Sequence, residues 1–300
     1  MSVAAAFKSL KSSAVLSWKP TGNLQKTVTN CIERTGRGLH SGDISTVRIL
    51  PAVARAGRYF IFRSNIIRAS IDNVVRDTPL CTALSRDGYS VRTVEHLLSA
   101  LEACGVDNCR IEIDGSSNCD RSVEVPIFDG SAREWMEAIN QSGLRVATDN
   151  AIPYSKVCIT YGIDYPQQLL LQAPAIGCQW FSSSLLDESI YSNSIAPSRT
   201  FCIYEEVEHM RSLGLIKGGS AETAIVCSMS RGWVNPPLRY DNEPCRHKAL
   251  DLIGDISLLA QEGNQGLLVA HIVAYKGGHS LHAEFVRRLV GNDVSQELTA

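Results

Sequence analysis

Residues 93–101, Thr93-Val-Glu-His-Leu-Leu-Ser-Ala-Leu101, place a glutamate and a histidine at the start of a predicted amphipathic helix. The apolar side chains of this stretch recur at the spacing i, i+3, i+4 and i+7, which is typical of a helix that packs one face against a core. Gly105 follows at a position where glycine commonly ends a helix. Glu95 and His96 are therefore expected in the first turn of a packed helix.

A second predicted helix carries His247 and Asp251 four residues apart, so both side chains lie on one helix face. Two imidazoles and one carboxylate form a three-ligand set that leaves a fourth position open for water, as in catalytic zinc sites. We therefore predict that His96, His247 and Asp251 bind Zn²⁺, with Fe²⁺ as an alternative for the same donors. Glu95, beside the first ligand, would be the base for that water. A lone histidine after glutamate on a helix is more often a partly exposed residue than a ligand, and a His-x-x-x-Asp pair also arises as hydrogen-bonded neighbours. The prediction therefore requires all three ligands to meet.

The composition is that of a globular protein, with 44% apolar and 20% charged residues in a chain of 300. This length is sufficient for two domains of ordinary size. No run of about 18 apolar residues occurs, which argues against a transmembrane segment. The net charge of −2 gives no electrostatic basis for binding nucleic acid. The ten cysteines contain no Cys-x-x-Cys spacing and are interpreted as reduced thiols.

Residues 1–25 differ in composition from the rest of the chain. Four lysines and several serines precede Glu33, which is the first acidic residue. A basic, serine-rich and acid-poor N-terminus is typical of organelle transit peptides, with a disordered tail as the alternative. We predict a mitochondrial transit peptide, and the absence of arginine leaves a plastid address open.

Strand-like segments followed by helices occur twice along the chain and predict an α+β fold of two similar domains, at 26–145 and 154–295. Each domain is expected to pack helices on β-sheets. Ligands drawn from both halves would place the active site in the cleft between them. The polar stretch 145–154 predicts the linker. Ser131, with Glu134 three residues later, predicts a capping box at a helix start.

Several segments, in order between about Lys26 and Val290, resemble the UDP-3-O-acyl-N-acetylglucosamine deacetylase family, the zinc amidases of lipid A synthesis. Besides residues 93–101, the matching segments are Glu124-Val-Pro-Ile-Phe-Asp-Gly-Ser-Ala132, Arg199-Thr-Phe201, Gly218-Gly-Ser220, Arg246-His-Lys-Ala-Leu-Asp-Leu-Ile-Gly-Asp255 and Gly278-His279. The resemblance implies a fold of two similar α+β domains with the active site between them. It also implies a eukaryotic, organelle-targeted version of a largely bacterial family.

The resemblance implies roles for individual side chains in catalysis. The three predicted ligands match the zinc ligands of the family, and Glu95 matches its general base. His279 matches a second catalytic histidine and Asp255 the acid that orients it, while Thr200 matches the residue that hydrogen-bonds the substrate carbonyl. The other histidines are interpreted as ordinary surface or core residues: His40, His209, His271 and His282.

Further positions match the substrate-binding surface of the family. Lys248 matches a lysine near the diphosphate of the sugar nucleotide, and Lys276 would assist it. The residues that match the substrate cleft and the acyl passage are Leu39, Phe201, Val207 and Gly219. The implied partner is a UDP-3-O-acyl-N-acetylglucosamine, bound by a monomer that touches a membrane only through the acyl chain of this substrate.

The resemblance implies that the chain removes the 2-acetamido group of this substrate as acetate and leaves a free amine. One departure from the family's pattern, the altered length of residues 160–177, keeps an alternative open. A second departure, Ile203 in place of an aromatic residue of the acyl passage, means that the resemblance does not imply the preferred acyl-chain length. The alternative is a catalytically silent homologue that binds a sugar nucleotide or acts as a scaffold.

Overall fold

The structure, a computed structural model, describes residues 24–76, 78, 80–115, 120–147, 158–164, 178–184, 188–235, 237–268 and 270–291. Within these residues the protein has sixteen β-strands and six α-helices, so the predicted α+β class is confirmed. None of the helices in this described part is both long and apolar enough to cross a membrane. Its seven cysteines with described side chains are free thiols, and five of them are buried.

The elements of the first half alternate short strands with two helices. In chain order they are β1 (Lys26–Val28), β2 (Ile32–Arg37), β3 (Ile44–Pro51), β4 (Arg58–Phe62), β5 (Asn65–Arg68), β6 (Ala83–Arg86), β7 (Tyr89–Arg92), α1 (Glu95–Ala103), β8 (Cys109–Gly115), β9 (Ser122–Glu124), α2 (Arg133–Ser142) and β10 (Leu144–Val146). The larger sheet has the strand order β2-β3-β8-β4-β5, in which only β4 and β8 run parallel. The smaller sheet has the order β6-β7-β9.

The second half contains four helices and two three-stranded sheets within the described residues. Its elements are β11 (Cys158–Asp164), β12 (Cys178–Ser184), α3 (Glu188–Ser194), β13 (Phe201–Ile203), α4 (Tyr204–Ser212), β14 (Ile225–Ser228), β15 (Gly232–Trp233), α5 (Glu243–Ile256), β16 (His271–Tyr275) and α6 (His279–Val290). The sheets have the orders β12-β11-β16 and β13-β14-β15. Strand β11 covers the start of the altered stretch 160–177, and residues 165–177 lie outside the described residues.

A two-stranded ribbon joins the beginning and the end of the first half. Strands β1 and β10 pair antiparallel, with Val28 opposite Leu144 and Lys26 opposite Val146. Arg145, the first residue of the predicted linker, therefore lies in a strand, and residues 148–157 lie outside the described residues. The domain boundaries stay predictions.

The predicted capping box at Ser131 is wrong. Helix α2 begins at Arg133, and the side chain of Ser131 donates a hydrogen bond to Asp129 at 2.7 Å. Glu134 does not reach back to the helix start because its carboxylate binds Arg34 at 2.7 Å. A partner from β2 has thus replaced the local interaction that the sequence pattern favoured.

Helices α1 and α5 cross at the centre of one hydrophobic core that includes residues from both halves, among them Leu97, Trp135, Ile163 and Ile253. Residues 95–102 of α1 are all buried, polar ones included. The close crossing depends on Gly254 of α5, because a Cβ atom at this position would lie 2.2 Å from the carbonyl oxygen of Glu95. The crossing brings the polar face of each helix to the same place.

Candidate active site

Three predicted ligands meet where α1 and α5 cross. His96, His247 and Asp251 each offer one ligand atom, and these atoms all lie within 4.8 Å of one another. The carboxylate atom Oδ1 of Asp251 lies 3.6 Å from Nε2 of His96 and 3.3 Å from Nε2 of His247. All three side chains are buried. The structure therefore brings together one residue of the first half and two of the second.

Two donor atoms of this cluster have lone pairs with which they can coordinate a cation. Nδ1 of His247 lies 2.9 Å from the carbonyl oxygen of Ser198, so this nitrogen carries the proton and Nε2 keeps its lone pair. Oδ1 of Asp251 is buried and has no hydrogen-bond partner among the described residues. A buried carboxylate oxygen without a partner is costly, and a metal ion is one of the groups that would satisfy it. These residues fit a divalent metal.

The electrostatics favour the protonation states that bind metal. Burial lowers the pKa of His247 to about 4, against the raising effect of Asp251. Burial would raise the pKa of Asp251, but His247, Lys248 and His279 outweigh it and hold that pKa well below its usual range. A neutral imidazole and an ionised carboxylate are the forms that coordinate a metal.

Glu95 lies beside this cluster with one carboxylate oxygen fixed by the backbone. The N–H of Thr82 donates to Oε2 at 3.0 Å, while Oε1 lies 3.8 Å from Nε2 of His279. Burial raises the pKa of Glu95 against the lowering effect of His279 and His96. A carboxylate with a raised pKa is a stronger base than an exposed one.

His279, at the start of α6, is held by Asp255 of α5. Nδ1 of His279 donates to Oδ2 of Asp255 at 2.9 Å, and the hydroxyl of Thr82 donates to the other oxygen of this carboxylate. Burial would lower the pKa of His279, but Asp255, Glu95 and Asp251 raise it to about 9. Burial likewise opposes ionisation of Asp255, yet His279 and His282 lower the pKa of this carboxyl to about 2. At neutral pH the pair is an imidazolium and a carboxylate.

Asp255 also binds His282, for which the sequence predicts only an ordinary surface or core histidine. Nδ1 of His282 lies 2.8 Å from Oδ2 of Asp255, and its Nε2 lies 3.0 Å from the hydroxyl of Tyr161. The spacing of His279 and His282, three residues apart on one helix, is a signal that could have indicated a shared partner. Of the other three histidines, His40 is also buried, whereas His209 and His271 are exposed.

The turn that starts α1 is held by Glu124, another residue that sequence reasoning missed. Thr93 has a φ of 58°, a left-handed conformation that β-branched residues rarely adopt. Its hydroxyl donates to Oε1 of Glu124 at 2.7 Å, and the N–H groups of His40 and Ser41 donate to the same carboxylate. Glu124 therefore links the loop before β3 to the turn that presents Glu95.

Thr200 is fixed at the contact between the two halves. Its N–H donates to the carbonyl oxygen of Gly130 at 2.7 Å, and its own carbonyl accepts from Ile225 at 2.7 Å. The preceding Arg199 binds the buried carboxylate of Glu243 through its backbone N–H at 3.0 Å and its side chain at 2.9 Å. A Cβ atom at Gly130 would lie 2.1 Å from a backbone oxygen, so only glycine fits here.

The two predicted diphosphate lysines differ in their surroundings. Nζ of Lys248 lies 3.0 Å from Oδ2 of Asp251 and 5.8 Å from the centroid of the Phe201 ring. Lys248 and Phe201 therefore lie beside the candidate metal-binding cluster. Lys276 follows β16 with a φ of 53°, and its ammonium lies 5.4 Å from the centroid of the Tyr275 ring.

Leu39 and Gly219 are neighbours in the structure. The carbonyl oxygen of Leu39 accepts the N–H of Gly218 at 2.9 Å. A Cβ atom at Gly219 would lie 3.5 Å from the Leu39 side chain and 2.7 Å from that of Ile216. Val207 is the buried residue of α4. Two of the four residues predicted for the substrate cleft and acyl passage thus lie close to one another.

The fold and the site together define an α+β protein with a candidate metal-dependent hydrolase site built from both halves of the chain. The model of the LpxC family, UDP-3-O-acyl N-acetylglycosamine deacetylase, matches residues 25–152 and 147–291. The chain belongs to this family, which confirms the resemblance found in the sequence. The two successive matches also agree with two similar halves.

Curated relatives match over nearly the whole chain. A protein of Arabidopsis thaliana named "Probable UDP-3-O-acyl-N-acetylglucosamine deacetylase 1, mitochondrial" is 52% identical over 94% of this chain and 93% of its own length. The UDP-3-O-acyl-N-acetylglucosamine deacetylase of Trichormus variabilis is 45% identical, over 89% of this chain and 98% of its own. That of Thermosynechococcus vestitus is 41% identical, over 88% and 93%.

Proposed function

We propose that the protein is a zinc-dependent deacetylase that hydrolyses the 2-acetamido group of a UDP-3-O-acyl-N-acetylglucosamine to the free amine and acetate. The reaction belongs to the synthesis of a lipid A-type glycolipid. The observation that carries the proposal is the buried cluster of His96, His247 and Asp251, with an unpartnered carboxylate oxygen and with Glu95 beside it. Family membership and the names of the relatives support the substrate class.

Nε2 of His96, Nε2 of His247 and Oδ1 of Asp251 would hold the ion. Two nitrogens and one carboxylate suit Zn²⁺, and Fe²⁺ is the alternative. When bound, the ion supplies a Lewis acid that polarises the amide carbonyl and makes water acidic enough to be deprotonated near neutral pH.

Glu95 is the general base. Its Oε2 is engaged by the N–H of Thr82, so Oε1 is the atom that would accept the proton of the attacking water. Burial raises the pKa of this carboxyl, which strengthens it as a base. A positioned base of this kind contributes on the order of 10²-fold to 10⁴-fold in rate.

His279 is the general acid. Its Nδ1 is bound to Asp255, so Nε2 carries the transferable proton and faces Glu95. Because nearby carboxylates raise the pKa of His279 to about 9, against the effect of burial, the ring is cationic at neutral pH. An amine leaves readily only when it is protonated, and Nε2 would supply this proton. Thr200 would hydrogen-bond the carbonyl oxygen as negative charge develops on it.

The remaining predicted site residues would bind the substrate. Lys248 and Lys276 would face the diphosphate of the nucleotide. The substrate and its acyl chain would lie along the four residues predicted for the substrate cleft and acyl passage, Leu39, Phe201, Val207 and Gly219. The proximity of Leu39 to Gly219 and the position of Phe201 beside Lys248 support these assignments.

The proposal extends to organisation and location. The two domains, 26–145 and 154–295, would enclose the site in a cleft. The protein would act as a monomer and contact a membrane only through the acyl chain of its substrate. A mitochondrial location is supported by the Arabidopsis relatives named mitochondrial and by the basic, acid-poor residues 1–23.

A direct test measures metal content and acetate release on the purified protein from residue 24 onward. We expect one zinc per chain and hydrolysis of a UDP-3-O-acyl-N-acetylglucosamine. Glu95→Gln and His279→Gln should each lower turnover by roughly 10²-fold or more. His271→Gln, which changes an exposed histidine on β16, is the control and should keep the rate. A protein that binds zinc but releases no acetate would instead be the silent homologue.

A further inference from the structure

We propose that His282 and Tyr161 are positioning residues that act on His279 through Asp255. The inference rests on the proposed role of His279 as the acid, and it extends that role by two side chains. The chain of contacts runs from the hydroxyl of Tyr161 to His282, from His282 to Asp255, and from Asp255 to His279. All four side chains are buried.

The carboxylate of Asp255 accepts hydrogen bonds from three side chains. Oδ2 accepts from Nδ1 of His279 at 2.9 Å and from Nδ1 of His282 at 2.8 Å, while Oδ1 accepts the hydroxyl of Thr82. A carboxylate bound from three directions cannot rotate without breaking at least one of these bonds. His282 therefore fixes the oxygen that orients the ring of His279.

The hydroxyl of Tyr161 and the carboxylate of Asp255 favour the same tautomer of His282, with the proton on Nδ1. A phenolic hydroxyl is a good donor to an imidazole nitrogen, and the hydroxyl of Tyr161 lies 3.0 Å from Nε2. With Nε2 accepting, the proton of a neutral ring resides on Nδ1, where it is donated to Asp255. Without Tyr161, Nε2 loses its donor, and the tautomer with the proton on Nε2 becomes more populated although it turns a lone pair toward the carboxylate.

At Gly277, next to this contact, the packing leaves no room for a side chain. A Cβ atom at Gly277 would lie 2.5 Å from the hydroxyl of Tyr161 and 2.9 Å from Nε2 of His282. Gly277 thus covers the hydrogen bond between Tyr161 and His282 on one side. The hydrogen bond is enclosed by protein, where such bonds are stronger and more costly to leave unsatisfied than in water.

Asp255, His279 and His282 also have the composition of a metal-binding group, with ligand atoms within 4.8 Å of one another. The hydrogen-bonded arrangement is favoured because both Nδ1 atoms are already 2.8 to 2.9 Å from one oxygen. A metal would require those nitrogens to lose their protons and share an ion with the oxygen that they now bind. The ion count in the test below separates the two arrangements.

The test compares three substitutions in the zinc-loaded protein. His282→Leu removes the donor to Asp255 and should lower kcat about 10-fold or more, the scale of losing a residue that orients a functional side chain, with KM within about twofold. His282→Asn places an amide N–H near the former Nδ1 and should recover most of that loss. Tyr161→Phe should lower kcat by less than His282→Leu, because the tautomer becomes mixed rather than the donor lost.

His271 of β16, which bonds the residue before Tyr161 on β11, provides a matched control. Thr160 precedes Tyr161 on β11, and its hydroxyl lies 2.7 Å from Nε2 of the exposed His271. His271→Leu therefore removes a histidine bonded to β11 without touching Asp255, and kcat should not change. If His271→Leu lowers kcat as much as His282→Leu, or if His282→Asn restores nothing, the effect is structural and the positioning role is wrong.

Nitrogen NMR of labelled histidines provides a readout that does not depend on turnover. We expect the shifts of His282 to show Nδ1–H in the native protein and a mixture of tautomers in Tyr161→Phe. If the protein releases no acetate but His282 shows this tautomer, the proposed function fails and the contact chain stands. A native Nε2–H tautomer, or a second zinc ion that His282→Leu removes, would overturn the chain itself.

Discussion

Gly254 of α5 lies against the backbone of Glu95 in α1 so closely that a methyl group on it would be 2.2 Å from the Glu95 carbonyl oxygen. This contact sets the separation of the two helices that carry the candidate ligands. His96 follows Glu95 directly, and Asp251 lies three residues before Gly254. The separation of the two helices therefore determines the distance between the ligand side chains that they carry. One glycine therefore couples packing of the core to the geometry of the site.

Gly254→Ala should separate α1 from α5 and weaken both folding and metal binding. Overpacking in a dense core costs about 1 to 3 kcal/mol, and the new methyl group here would meet backbone rather than a side chain that can rotate away. We expect a lower unfolding free energy in urea and less than one zinc per chain. Gly278→Ala is the control, because a Cβ atom there has no neighbour within 4 Å. Full zinc occupancy in Gly254→Ala would show that the helices tolerate the methyl group.

The raised pKa of His279 predicts a loss of stability of the metal-free protein at alkaline pH. Burial alone would lower this pKa, but the carboxylates of Asp255, Glu95 and Asp251 raise it from 6.5 to about 9. Between pH 6.5 and about 9, His279 therefore keeps a proton in the folded state that it has lost in the unfolded state. The stabilisation is complete below pH 6.5 and disappears as the pH rises through 9. By the relation between pKa and free energy it amounts to about 3 kcal/mol.

Urea unfolding of the metal-free protein at pH 6.5 and pH 9.5 measures this difference. His279→Gln removes the titrating ring, so its stability should change less over the same interval. An equal loss in the native protein and in His279→Gln would assign the alkaline destabilisation to other groups.

The two central helices of the site could be predicted from the sequence because their signals are local. Apolar spacing places Glu95 and His96 on α1, and the four-residue spacing of His247 and Asp251 places both on one face of α5. Their meeting across the core could be inferred only from the chemistry of the combined donors and from the family resemblance. The structure brings the three side chains together.

The residues that hold these groups in place could not be predicted in the same way. Thr82, Glu124 and Tyr161 lie in or beside strands, and each acts on a partner from 13 to 121 residues away in the chain. No periodic pattern reports such contacts, because they depend on how sheets and helices pack. The prediction of a capping box at Ser131 was wrong for the same reason, because Glu134 binds Arg34 of β2 instead of the start of its own helix.

Removal of the bound ion should lower the melting temperature, and this effect should depend on Asp251. An ion that binds only the folded state adds about 2.7 kcal/mol of stability at 100 times its dissociation constant. Thermal unfolding with zinc and with a chelator should therefore differ clearly in the native protein. In Asp251→Asn, which keeps the size but not the charge of the ligand, most of this difference should vanish. An unchanged difference would place the ion elsewhere.

The strained turn at Thr93 predicts an unusual order of stability among its variants. Thr93→Val keeps a β-branched side chain at a φ of 58° but loses the hydrogen bond to Glu124, and should cost about 2 kcal/mol. Thr93→Gly loses the same bond but relieves a strain of about 1 to 3 kcal/mol, so it should cost less. Thr35→Val, which removes an exposed hydroxyl on β2, is the control. Thr93→Gly proving less stable than Thr93→Val in urea would contradict the strain.

Gln25 limits how far a transit peptide could extend. Its side chain is 1% exposed, accepts from the N–H of Arg55 at 2.8 Å and from Asn108 at 3.0 Å, and donates to the carbonyl of Glu262 at 3.0 Å. A peptide removed after residue 25 would take with it a residue that joins both halves.

Accordingly, a protein that begins at Lys26 should be less stable than one that begins at Leu24, by about 2 to 3 kcal/mol for the lost buried hydrogen bonds. Gln25→Ala in the longer protein should reproduce most of this loss, because the three bonds belong to the side chain. The comparison is made by urea unfolding at one pH with zinc present. Equal stability of the two lengths would mean that water replaces Gln25 without cost, and the mature protein could then begin at either residue.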